Sequence, residues 1–143
     1  MKFECRNFGV PDLPRRGLAA SSAPLEILLV DIEADLVISD NGRTVWSEEA
    51  VQVAELAYDL SRWLHLGDRI RGDFTFESSY DEPGAVQIVA TDEGWRVGSA
   101  FAADTQSSPV TWESLVAALV AFIEDVRAGV GTLGGDPDFI PQP

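Results

Sequence analysis

Leu25-Glu26-Ile27-Leu28-Leu29-Val30-Asp31-Ile32-Glu33-Ala34-Asp35-Leu36-Val37-Ile38-Ser39 is an apolar stretch broken by acids at every second position from residue 31 to 35. Alternation of this kind predicts a strand over residues 25–39. Leu28, Val30, Ile32, Ala34, Leu36 and Ile38 then face a core, and Asp31, Glu33 and Asp35 form a row on the opposite face. Like charges set side by side repel, so stability alone gives little reason for the row, whereas a cationic partner would give it a use.

The surrounding pattern places this strand in an α+β domain. Upstream, Lys2 to Phe8 reads as a first strand with Phe3 and Cys5 on one side, and Gly9 to Pro24 as a loop rich in Pro and Ser. Downstream, Asp40-Asn41-Gly42 leads into Arg43 to Trp46. Asn-Gly between extended segments is a strong hairpin signal, and it sets Asp40 opposite Arg43. Ser47 reads as the N-cap of a helix with Glu48 and Glu49 in its first turn, running to about Leu64. Val53, Leu56, Ala57, Leu60, Trp63 and Leu64 form its apolar stripe. Asp73–Tyr80, Ala85–Thr91 and Trp95–Phe101 read as an antiparallel meander. Thr111 caps a second helix that ends near Arg127 with Gly129 as its C-cap. The expected architecture is one mainly antiparallel sheet of five to six strands with two helices packed on one face. It forms a single domain over residues 1–128, followed by a flexible Gly/Pro-rich tail over 129–143.

Charge narrows the range of functions. The 143 residues carry 24 acids against 10 bases, a formal net charge of −14. Nucleic acid and anionic membranes are thereby disfavoured as ligands, because phosphate binding needs clustered Lys and Arg. Cys5 is alone, so neither an intrachain disulfide nor a thiolate metal cluster can form. Residues 1–10 hold no apolar run of signal-peptide length, and the expected compartment is the cytoplasm.

The inventory of reactive groups points to a non-enzyme. His65 is the only histidine and ends the first predicted helix, where a helix dipole favours it as a cap. Ser78 and Ser79 show no sign of activation, and no Gly-x-Ser-x-Gly elbow is present. Cys5 on an edge strand reads as a small hydrophobe. A metal cage from Asp31, Glu33 and Asp35 is geometrically awkward, since alternate residues of a strand lie about 6–7 Å apart. No cofactor is expected. Trp46 and Trp112 read as half-exposed and Trp63 as core.

The run Val53-Ala54-Glu55-Leu56-Ala57-Tyr58-Asp59-Leu60-Ser61-Arg62-Trp63-Leu64 follows an acidic-apolar strand and a hairpin. It is followed in turn by a Phe-x-Phe-x strand at Phe74 to Glu77, two more strands and a closing helix. This order resembles the WapI-like immunity proteins of contact-dependent toxin systems over roughly Leu25 to Arg127. In the Gly94-Trp95-Arg96-Val97-Gly98 strand the chain is also similar to other small actinobacterial α+β proteins. The resemblance implies a bacterial antitoxin that inhibits a cognate toxin, commonly a nuclease, by binding it. The residues themselves point to a basic partner steered to Asp31, Glu33 and Asp35, with Glu77, Tyr80, Asp81 and Glu82 as further contacts. The competing reading is a small housekeeping or regulatory domain that self-associates or binds a small ligand, its acids serving only as a solvated face.

Overall fold

A computed structural model describes all residues from Met1 to Pro143. Six antiparallel strands and three α-helices follow in the order β1 (Lys2–Gly9), α1 (Leu25–Asp31), β2 (Glu33–Asp40), β3 (Arg43–Val51), α2 (Val53–Leu64), β4 (Phe74–Thr75), β5 (Gln87–Thr91), β6 (Gly94–Gly98) and α3 (Trp112–Thr132). The strands form two three-stranded sheets, β1-β2-β3 and β4-β5-β6, in place of the single sheet expected. The α+β class and the antiparallel pairing hold. The division follows from α2 and its connection, which separate the two meanders in sequence.

The quoted stretch splits in two. Leu25–Asp31 is helical with Pro24 at its N-cap position, and the chain becomes extended only at Ile32. A short apolar run satisfies the periods of helix and strand alike, and here Leu28 and Asp31 share the buried side of α1. From Glu33 on, alternation holds. Ala34, Leu36 and Ile38 are each at most 1% exposed, and the residues between them are half-buried.

The Asn41-Gly42 hairpin is present with Asp40 opposite Arg43, and both loop residues take positive φ (51° and 78°) as a primed turn requires. Asp40 and Arg43 bond elsewhere, however. The Asp40 carboxylate accepts the Ser108 N–H at 2.7 Å and Arg43 donates to the Gln106 carbonyl at 2.8 Å, tying the hairpin tip to the β6–α3 connection.

β3 does not stop at Trp46. It continues through Ser47, Glu48 and Glu49 to Val51, so these residues are extended and Ser47 caps no helix. Val45, Trp46 and Val51 are buried, which favours the longer strand. Trp46 is only 8% exposed, against the half-exposed position expected for it. α2 then begins at Val53 and buries Val53, Leu56, Ala57, Leu60 and Trp63 as the stripe predicts.

At the other end α3 passes through Gly129 to Thr132. Gly129 is interior to the helix because its bare Cα lets the Phe8 ring approach, and a Cβ there would lie 2.7 Å from that ring. Where a tail was expected, Ile140 is fully buried. Ser61 Oγ donates to the Pro141 carbonyl at 3.0 Å, and Arg127 donates to the carbonyls of Pro137 and Ile140. One cluster of 30 buried residues draws on both sheets, α1, α2, α3 and Ile140. Trp63, Trp95 and Trp112 meet edge-on or tilted with centroids 5.2–5.7 Å apart, and Arg71 stacks 4.3 Å from the Trp112 centroid.

Candidate functional site

The three acids of the expected row have separate environments. Asp31, at the end of α1, is 2% exposed, so it lies inside the molecule and not on an acidic sheet face. Its carboxylate pairs with Arg16 Nε at 2.8 Å and accepts the Tyr80 hydroxyl at 3.1 Å. Asp35 accepts Asn7 Nδ2 at 2.7 Å and the Ala50 N–H at 3.2 Å. Asn7 and Ala50 both have left-handed backbones (φ 59° and 56°) beside register shifts in β1 and β3, so Asp35 holds an irregularity in each neighbouring strand. Glu33 is half-buried, and burial, followed by the nearby Asp12, Asp31 and Asp35, raises its carboxyl above the usual range.

Glu77, Tyr80, Asp81 and Glu82 share one loop. The strand Asp73–Tyr80 was expected to be longer than β4 proves to be, but the ladder persists through Phe76, whose N–H donates to the Val86 carbonyl. The Gly84 N–H then returns to the Phe76 carbonyl at 2.9 Å and closes the neck of the loop. Gly84 has φ 103°, and a Cβ there would meet Ala100 Cβ at 2.7 Å, so only glycine fits. Inside the loop Ser79 donates from both N–H (3.1 Å) and Oγ (2.7 Å) to Glu55 of α2, and Ser78 Oγ donates to Gln52 at 3.0 Å. Tyr80, 54% exposed, reaches across to Asp31.

Docked in this way, the loop brings its acids beside others that the sequence reading placed in a helix. Glu48 and Glu49 of β3 line a cleft of about 150 Å³ with Tyr80, Asp81, Ala50 and Phe76. Partial burial, and then Asp81, hold the Glu48 carboxyl above its ordinary range. Behind the loop, Asp59 of α2 and Glu77 border a second groove of about 290 Å³. Burial first, and then Glu55 and Glu77, push the Asp59 carboxyl up to about 6, with Arg62 opposing. Glu48, Glu49, Glu55, Asp59, Glu77, Asp81 and Glu82 thus form a belt around the loop. The seven ion pairs of the molecule include none of them.

Sequence reasoning missed Glu48, Glu49, Glu55 and Asp59. For the first two, the signal available was the β-favouring run Thr44-Val45-Trp46, which carries the strand on to Val51.

A family model for a domain of unknown function, DUF7878, matches residues 14–130. The chain belongs to that family. No curated protein and no solved structure matches it significantly. The DUF7878 match contains the loop and every acid of the belt, while β1 precedes it and Ile140 follows it.

His65 caps α2, with its Nδ1 2.7 Å from the Ser61 carbonyl oxygen. Cys5 lies half-buried on the edge strand β1, its thiol pushed up to about 12 by burial and then by Asp125. No three His, Cys, Asp or Glu side chains converge as a metal-holding set. No helix is long and apolar enough to cross a membrane.

Proposed function

We propose that this chain is a non-catalytic cytoplasmic binding protein that covers a basic surface of a partner protein with the acidic belt around the Glu77–Pro83 loop. The observation that carries this reading is the grouping of these carboxylates, none of them in an ion pair, around two hollows beside one exposed loop. Charge of one sign concentrated around a cleft steers a cationic partner and raises association rates by roughly 10 to 10³, an effect that salt removes. In the toxin-immunity setting that the resemblance implies, the partner is a cognate toxin, such as a nuclease, whose phosphate-binding cations the belt occupies. Glu48, Glu49, Glu77, Asp81 and Glu82 are the contacts, joined by the exposed Tyr80. Asp31 and Asp35 are reassigned as supports that hold Tyr80 and Ala50 in place.

Immobilised wild type and a Glu48→Lys, Asp81→Lys, Glu82→Lys variant, both checked for folding by circular dichroism, would be offered native lysate at low and high salt. A basic protein captured by the wild type at low salt only, and lost from the variant, supports the reading. Equal capture by both, or a salt-independent symmetric dimer as the only complex, sinks it.

A further inference from the structure

The groove behind the loop differs from the cleft in front of it, because its floor is apolar. Trp63, Leu66 and Phe74 line it along with Thr75, and Asp59, Glu77 and Arg62 stand at its rim. Trp63 and Phe74 are locked together as a tilted ring pair with centroids 5.7 Å apart, and the Trp63 indole N–H is taken by the Gly72 carbonyl at 3.0 Å. The Trp63 and Phe74 rings therefore offer a ligand apolar surface and no hydrogen bond. Leu66 is 39% exposed, and Ile70, on the same α2–β4 connection, is 72% exposed, so apolar surface continues past the groove.

Asp59 makes no hydrogen bond and no ion pair, although it is half-buried. Its only nearby cation, Arg62, lies over the Tyr58 ring at 5.8 Å. A carboxylate in that position gives up part of its hydration and keeps one side open to a ligand. The arrangement suits a ligand that is aliphatic along its length and cationic at its tip.

We infer that this groove receives a lysine side chain from the basic partner, with the four-carbon stem lying on Trp63, Phe74 and Leu66 and the ammonium set between Asp59 and Glu77. This inference rests on the reading of the chain as a binder of basic proteins and names the anchor point of that contact. Lysine stems cover apolar surface while their heads stay with charge, and aromatic floors add a cation–π attraction. A groove of about 290 Å³ is large enough for one such side chain. The cleft lined by Glu48 and Asp81 is smaller, at about 150 Å³, and serves the partner's remaining charges.

The groups facing Asp59 are Glu55, Arg62 and Glu77. Occupancy consequently weakens as pH falls and Asp59 takes up its proton.

The test is a ¹⁵N NMR titration at low salt and pH 7 with the peptide acetyl-Gly-Lys-Gly-amide, beside matched peptides carrying norleucine or arginine. The expected result is saturable shifts of the Trp63 indole and of the amides near Asp59, Leu66 and Glu77, with the lysine peptide preferred. Affinity should fall about five- to tenfold in the Asp59→Asn, Glu77→Gln variant, the worth of two partly exposed charge contacts. Both changes are near-isosteric, and the first removes an unpaired charge, so folding is preserved. Equal binding of the norleucine peptide, shifts spread evenly over the belt, no saturable shifts, or a preference for arginine would each overturn the inference. The wider reading fails separately, through the Glu48, Asp81, Glu82 variant. Loss of the partner there, with no lysine response at Asp59, leaves an acidic binder without this anchor.

Discussion

The hydroxyl of Tyr80 donates to Asp31 Oδ1 at 3.1 Å and so joins the tip of an exposed loop to the end of a helix 49 residues earlier in the chain. Arg16 completes the set at 2.8 Å from the other carboxylate oxygen. Asp31→Ala should cost about 1–2 kcal/mol in urea denaturation, because it removes the acceptor shared by Arg16 and the Tyr80 hydroxyl and opens a buried site. Tyr80→Phe should lower the urea midpoint by less than Asp31→Ala does. The double variant should cost less than the sum, since the two residues share one bond. Strict additivity would show that the bond contributes nothing.

Ala50 sits at φ 56°, a conformation that costs an alanine about 1–2 kcal/mol and a glycine almost nothing. Ala50→Gly should therefore raise stability by up to about 1 kcal/mol after the added freedom of the unfolded chain is deducted. Asp35→Ala should act in the opposite direction, since it frees the Ala50 N–H from its 3.2 Å acceptor. A loss of stability in Ala50→Gly would show that the backbone there is unstrained.

Ile140, in the segment after α3, belongs to the core. Ile140→Ala should cost about 2–4 kcal/mol, the range for emptying a fully buried aliphatic site. Native-state hydrogen exchange should show the Ile140 amide, bonded to the Pro137 carbonyl, protected beyond the level of a frayed end. A cost within about 0.5 kcal/mol would mark the segment as surface.

Asp59 gives the pH profile a definite sign. Its folded carboxyl lies near 6 against an ordinary value of 3.8, so between those limits the folded state holds more protons than the unfolded one. Stability falls as pH rises through that window and levels above it. Asp59→Asn should flatten the decline, as read from urea midpoints at intervals from pH 4 to 7. An unchanged slope would assign the decline to other acids.

Cys5 should resist alkylation. With its thiol pushed up to about 12, almost none is thiolate at pH 8, and iodoacetamide should label it orders of magnitude more slowly in the native protein than in urea. Rapid native labelling would place the side chain in water.

Much of the architecture can be read from local chemistry. The Asn41-Gly42 turn, the α2 stripe, the Thr111 cap and the three-strand meander each carry a signal that acts within a few residues. The misread elements depend on distant partners. Leu25–Asp31 fits either period until Arg16 and Tyr80 claim Asp31. Glu48 and Glu49 suit a helix start as well as a strand, until Asp35 fixes the bulge beside them. Gly129 resembles a cap unless the Phe8 ring is known to lie against it. For the candidate site, acidity and the loop acids were legible. The grouping of β3, α2 and the loop around two hollows was not, because it depends on the Ser79–Glu55 and Tyr80–Asp31 bonds, which span 24 and 49 residues.

The loop neck at Phe76 and Gly84 separates two kinds of residue. Phe76, Gly84 and Ala85 are interior and shape-critical, while Glu77, Asp81 and Glu82 between them are exposed and touch nothing that the core requires. The loop's acids can accordingly be exchanged, reversed or rearranged with little penalty to folding. Substitutions can accumulate in this loop one by one while the scaffold beneath it stays the same.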